Sequence, residues 1–94
     1  IYINDNCRAI DMVLRDGNPG EIYNIGSGEE RTNLEVTEAI LNIVGGSKHQ
    51  ITFVEDRAGH DQRYAIDFEK ITQLGWEPEW TFEEGLETTV EHYL

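Results

Sequence analysis

Arg57, His60 and Arg63 fall within seven residues of one another in the stretch Asp56-Arg57-Ala58-Gly59-His60-Asp61-Gln62-Arg63-Tyr64. A guanidinium matches phosphate oxygens in a bidentate fork, so this basic island suits an anionic small ligand such as a pyrophosphate. It follows a predicted strand, the usual place for binding residues in α/β folds. The architectural alternative is that Arg57 and Arg63 pair with Asp56, Asp61 or Asp67 to hold a loop, with His60 structural or solvated. Asp56, His60 and Asp61 are metal-ligand types, but the adjacent arginines repel a cation and no His-x-His or His-x-x-x-His pair exists. No metal is expected.

Two further features could serve a ligand. Gly26-Ser27-Gly28 after a predicted strand invites comparison with a dinucleotide loop, in which the backbone approaches a pyrophosphate at a helix N-terminus. It lacks a third glycine, the next helix starts four or five residues later, and no lysine follows, so a plain strand-ending turn is the simpler reading. Asn33 opens a capped helix, where its amide could face a ligand at the positive end of the dipole or simply bond within a loop. No nucleophile, base and orienting group form a triad, and Ser27 and Ser47 lie in glycine-flanked turns. The chain therefore carries no complete catalytic set.

The elements that must position these residues follow from periodicity and caps. Asn4 and Asp5 can cap a first helix over 5–15, with Cys7, Ile10, Val13 and Leu14 at helical spacing, ending before Asp16-Gly17-Asn18-Pro19-Gly20. Residues 21–25 read as a strand. Thr32-Asn33-Leu34-Glu35 is a capping box opening a helix over 33–44, which stops at Gly45-Gly46. Residues 51–54 read as a second strand, followed by a polar loop over 55–63. Asp67 can cap a short helix through Ile71 and Leu74 to Gly75, and Thr81-Phe82-Glu83-Glu84 opens a last helix with Phe82, Leu86, Val90 and Tyr93 or Leu94 on one face. The order is helix, strand, helix, strand, short helix, helix, which predicts one α/β or α+β domain over 1–94.

Composition narrows the partners. The 94 residues hold 19 Asp and Glu against 7 Lys and Arg, a formal charge of −12. That balance repels a polyanion, so no nucleic acid is expected. No apolar run approaches the ~18 residues a membrane span needs, and no basic region precedes an apolar stretch, so neither a membrane span nor a secretory leader is expected. The single Cys7 cannot form an internal disulfide, which points to a reducing, cytoplasmic compartment. Only two of the basic residues are lysine, and such an acid-rich surface suits solubility at high salt. The opening Ile1-Tyr2-Ile3 alternates like a strand interior and begins without methionine, so a preceding segment is expected.

Asp56-Arg57-Ala58-Gly59-His60-Asp61 also carries a resemblance, together with Gly20-Glu21-Ile22-Tyr23-Asn24-Ile25-Gly26, Arg63-Tyr64-Ala65-Ile66-Asp67, Leu74-Gly75-Trp76 and Phe82-Glu83-Glu84-Gly85-Leu86. Together these resemble the C-terminal part of the dTDP-glucose 4,6-dehydratases, which belong to the extended short-chain dehydrogenase/reductases. Ala58 stands where that family usually has proline. The resemblance implies a small mixed α/β substrate-binding lobe with most of the Rossmann core absent. It implies that NAD, the Tyr-x-x-x-Lys pair and the dehydrating Asp-Glu couple belong to a preceding portion, so that the 94 residues alone are inactive. It places Asn33, Asp56, Arg57, Ala58, Gly59 and His60 against the dTDP part of a sugar nucleotide. The family oxidises C4 of dTDP-glucose with NAD, eliminates water across C5 and C6 and returns hydride to C6, giving dTDP-4-dehydro-6-deoxyglucose, and its members are often homodimers. A UDP-sugar epimerase or decarboxylase is the neighbouring alternative, and an acidic interaction module the more distant one.

Overall fold

The computed structural model describes residues 1–59 and 67–94. His60 and the Arg63-to-Ile66 part of the resembling motifs lie outside the described residues.

Four α-helices and one 3₁₀ turn make up the described secondary structure: α1 (Ile3–Asp16), α2 (Asn33–Val44), the 3₁₀ turn Lys48–Gln50, α3 (Glu69–Thr72) and α4 (Phe82–Tyr93). α2 spans the residues its capping box predicts, with the Thr32 hydroxyl accepting from the Glu35 N–H and Gly45 closing the helix in the left-handed region. α4 likewise starts at a complete capping box formed by Thr81 and Glu84. Asp67 accepts from the Glu69 N–H at 3.0 Å, as its place before α3 predicts.

The start of α1 differs from expectation. Ile3 is already helical and Tyr2 is the N-cap, so the alternation of Ile1-Tyr2-Ile3 does not become a strand. Asp5 caps nothing locally, because its carboxylate is engaged elsewhere, as described below. The inward face of α1 also differs: Ala9 is fully buried and Met12 and Val13 pack beside it, whereas Ile10 and Leu14 stay 55% and 83% exposed. Periodicity finds the helix, but here two apolar stripes compete and the smaller residues face the core.

Residues 21–25 and 51–54 form no ladder among the described residues. A strand exists only when a neighbour takes up its N–H and C=O groups, and neither segment finds such an edge here. Ile22, Phe53 and Val54 accordingly remain about four-fifths exposed, at 78%, 80% and 83%.

Ala9, Ile71 and Trp76 form the buried centre, with Tyr23, Ile25, Phe68 and Leu74 around them. The Phe68 ring meets Trp76 edge-on at 6.4 Å between centroids. A separate contact packs α2 against α4. The radius of gyration, 16.2 Å, exceeds the about 12 Å expected of a compact chain this long. The accessible surface of 7545 Å² similarly exceeds the about 5,500 Å² expected for its mass. The fold is thus an open lobe around a small core.

Candidate functional site

Asn33 is the first residue of α2 and is exposed. Its backbone is fixed from within the helix. The Thr37 hydroxyl donates to the Asn33 carbonyl at 2.8 Å, and the turn before it is closed by Val36 N–H to Thr32 carbonyl at 3.0 Å. This leaves the side-chain amide at the mouth of the helix, where the first N–H groups carry the positive end of the dipole.

Asp56, Arg57, Ala58 and Gly59 form an exposed loop that turns at Ala58-Gly59. Gly59 has φ +75°, a left-handed conformation in which glycine carries no steric cost, so the turn is compatible with Ala58 preceding it. Among the described residues, neither Asp56 nor Arg57 makes an ion pair within 4 Å. Arg57 is thus paired with neither Asp56 nor Asp67, while Asp61 and Arg63, the other members of the architectural alternative, lie outside the described residues. No hydrogen bond or ion pair joins this loop to Asn33 among the described residues, so the two halves of the expected site stand as separate exposed groups.

The Gly26-Ser27-Gly28 loop is a turn. The Glu29 N–H points at the Ser27 hydroxyl, and Gly28, at φ +76°, lies so close to the Phe68 ring that a Cβ would come within 3.0 Å of it. The glycine thus admits an aromatic ring rather than a phosphate. Glu29 follows directly, and its carboxylate accepts from the Phe82 N–H at 3.0 Å, so the N-terminus of α4 is occupied by the protein's own anion. These residues do not fit a dinucleotide.

Two clusters escape the sequence reading. In the first, the buried Asp5 carboxylate accepts from Arg8 Nη2 at 2.9 Å and from the N–H groups of Glu79 and Trp80 at 3.0 Å each. Burial pushes this carboxyl up, but the Arg8 guanidinium and the two backbone donors outweigh burial and hold it below its ordinary value. Arg8 also donates to the Glu77 carbonyl at 2.9 Å. Asp5 and Arg8 together tie α1 to the segment leading into α4.

In the second, Arg31 bridges the loop before α2 to the start of α4. Its Nη2 lies 3.3 Å from a Glu83 carboxylate oxygen and 3.9 Å from one of Glu29, and its guanidinium sits 4.8 Å from the Phe82 ring centroid. A hydrogen bond from its own backbone and the Arg31 contact hold Glu83 below the usual carboxylate range. The only hint of this cluster in the sequence is an arginine flanked by acids beside a capping box.

No helix among the described residues is long and apolar enough to cross a membrane.

The family model described as GDP-mannose 4,6 dehydratase matches residues 1–89. The chain is 68% identical over 94 residues to the low-salt glycan biosynthesis protein Agl12 of Haloferax volcanii, covering all of this chain and 30% of that protein. It is 46% identical over 102 residues to the dTDP-glucose 4,6-dehydratase of Salmonella typhimurium, covering all of this chain and 28% of that protein. Among solved structures, the dTDP-glucose 4,6-dehydratase of Bacillus anthracis in complex with NAD superposes with a TM-score of 0.88 at 49% identity. DesIV of Streptomyces venezuelae, also a dTDP-glucose 4,6-dehydratase with NAD bound, superposes at 0.90 with 45% identity. Each superposition covers 96% of this chain and 28% of the other. The chain thus spans less than a third of the length of its relatives. On the family match over 1–89, the chain belongs to the GDP-mannose 4,6 dehydratase family.

Proposed function

We propose that this chain is the C-terminal, nucleotide-binding part of an NAD-dependent dTDP-glucose 4,6-dehydratase. The observation that carries the reading is Arg57, an exposed guanidinium without an ionic partner among the described residues in a protein of net charge −12. A guanidinium in such surroundings is ordinarily claimed by one of the many carboxylates, and one held in a turning loop is suited to receive an anion instead. The relatives at 44–49% identity are dTDP-glucose 4,6-dehydratases, which supports a sugar nucleotide as that anion.

In this reading Arg57 takes the pyrophosphate, Asn33 and His60 contact the nucleotide, and Asp56, Ala58 and Gly59 set the loop that carries them. These residues do no bond-breaking. Their contribution is orientation: binding energy from the unreactive nucleotide holds the hexose in register with the reacting groups. NAD is supplied and bound by the part of the enzyme outside this chain, and the whole enzyme is a cytoplasmic homodimer.

The test uses the full-length enzyme carrying this chain, incubated with NAD and dTDP-glucose and followed by mass spectrometry of the sugar nucleotide. Loss of one water from dTDP-glucose, and none from UDP-glucose or GDP-mannose, is the expected result. Dehydration of GDP-mannose alone, or an isomer of unchanged mass, contradicts it.

A further inference from the structure

Arg31 stands two residues before Asn33 and is the natural candidate for a phosphate ligand beside it, yet its charge is already spent within the protein. Its guanidinium faces Glu83 at 3.3 Å and Glu29 at 3.9 Å, lies over the Phe82 ring at 4.8 Å, and also donates from Nη1 to the Glu30 carbonyl at 3.2 Å. The side chain is only 30% exposed. A cation that already faces two carboxylates is a poor receptor for a further anion.

What the arrangement does is join two helix starts. Glu29 caps α4 through the Phe82 N–H, while Arg31 grips Glu83 and Phe82 in the first turn of the same helix. The chain then passes through the Thr32 cap into Asn33 with no intervening residue. The start of α4 is itself anchored, because Asp5 holds the N–H groups of Glu79 and Trp80 just before the Thr81 cap. A line of contacts therefore runs from buried Asp5, through the start of α4, to Arg31, which stands two residues before Asn33 in the chain.

We propose that Arg31, braced by Glu29, Glu83 and Phe82, is a positioning residue that fixes the Asn33 amide for nucleotide binding and does not itself touch the ligand. This rests on the nucleotide-binding reading of Asn33 given above. Loss of the brace leaves α2 capped by Thr32 but lets its mouth move relative to α4, so the cost falls on ligand affinity more than on helix formation.

A double-mutant cycle in the full-length enzyme, read as dTDP affinity by calorimetry, tests it. Asn33→Ala is expected to weaken binding, and Arg31→Ala to weaken it about five- to tenfold. In the Asn33→Ala background, Arg31→Ala is expected to change affinity less than twofold, because the group it positions is gone. Arg31→Lys, which keeps the charge opposite Glu83, is expected to restore most of the affinity, and Glu83→Gln to weaken it. KM for dTDP-glucose should rise in step with the losses of affinity in the Arg31→Ala and Glu83→Gln enzymes and recover in Arg31→Lys. If Asn33→Ala leaves affinity unchanged, the nucleotide role of Asn33 falls and this proposal with it. If Asn33→Ala weakens binding but Arg31→Ala does nothing, or costs as much in the Asn33→Ala background as in the wild type, the positioning role is overturned and the Asn33 reading stands. Should Arg31→Ala not fold, Arg31→Lys and Glu83→Gln decide in the same cycle: additivity of Glu83→Gln with Asn33→Ala rejects the proposal.

Discussion

Trp76 and Asp5, 71 residues apart in sequence, are joined by a hydrogen bond in which the Trp76 indole N–H donates to the Asp5 carbonyl at 3.1 Å. Both residues are fully buried. The same Asp5 accepts two backbone N–H groups through its side chain, so one residue fastens the first helix to the approach of the last.

Replacing Asp5 by alanine strands the Glu79 and Trp80 donors and leaves Arg8 without its buried partner. An unpaired group costs about 1–3 kcal/mol when buried and these donors are only part-buried, so Asp5→Ala is expected to lower stability by about 2 kcal/mol. Asp5→Asn keeps one acceptor oxygen and should lose less. Urea denaturation measures both, and an Asp5→Ala variant within 0.5 kcal/mol of wild type, a value about that of an ordinary surface change, contradicts the hub.

The same carboxylate predicts an acid dependence. Its folded pKa lies below the ordinary value, so its contribution is fully present above the unfolded value of about 4 and is lost as pH falls through the folded pKa. Stability should hold from neutral pH down to about 5 and drop below about 4, and the drop should be shallower in Asp5→Asn. A wild-type and Asp5→Asn pair with parallel pH profiles would show that other carboxylates govern acid unfolding.

Gly85 tests the packing at the start of α4. Gly→Ala inside a helix ordinarily gains about 1 kcal/mol. Here the added Cβ would come within 2.9 Å of the Tyr2 Cβ, and Tyr2 is itself stacked on Trp80 at 4.4 Å between ring centroids. Overpacking costs about 1–3 kcal/mol, so the clash outweighs the propensity and Gly85→Ala is expected to lower the melting temperature. A rise would mean that Tyr2 is free to move aside.

The surface charge predicts a salt response. With 12 net negative charges on 94 residues, self-repulsion opposes the folded state and is screened as ionic strength rises. The melting temperature should increase between low and molar salt. A flat or falling profile contradicts adaptation to high salt.

Helices were legible in the sequence where their ends carry side-chain chemistry. Thr32 with Glu35, and Thr81 with Glu84, mark α2 and α4 because a capping hydroxyl leaves a local signature. The start of α1 was not legible, since Tyr2 caps it with no side-chain bond and Asp5, the apparent cap, is claimed by residues more than 70 positions away. Residues 21–25 and 51–54 have strand-like sequences, but pairing depends on an edge that no local pattern encodes. The candidate loop at 56–59 was recognisable from its charge, whereas the Arg31 brace depends on Glu83, 52 residues distant, and shows only in three dimensions.

The most direct test of the nucleotide-binding reading is calorimetric titration of dTDP into the full-length enzyme and into its Arg57→Ala variant at fixed salt. A charge-assisted contact to phosphate is worth about 1.5–3 kcal/mol, so the variant should bind at least about tenfold more weakly with an unchanged melting temperature. Equal affinities for wild type and variant would contradict the account and return Arg57 to the architecture of its loop.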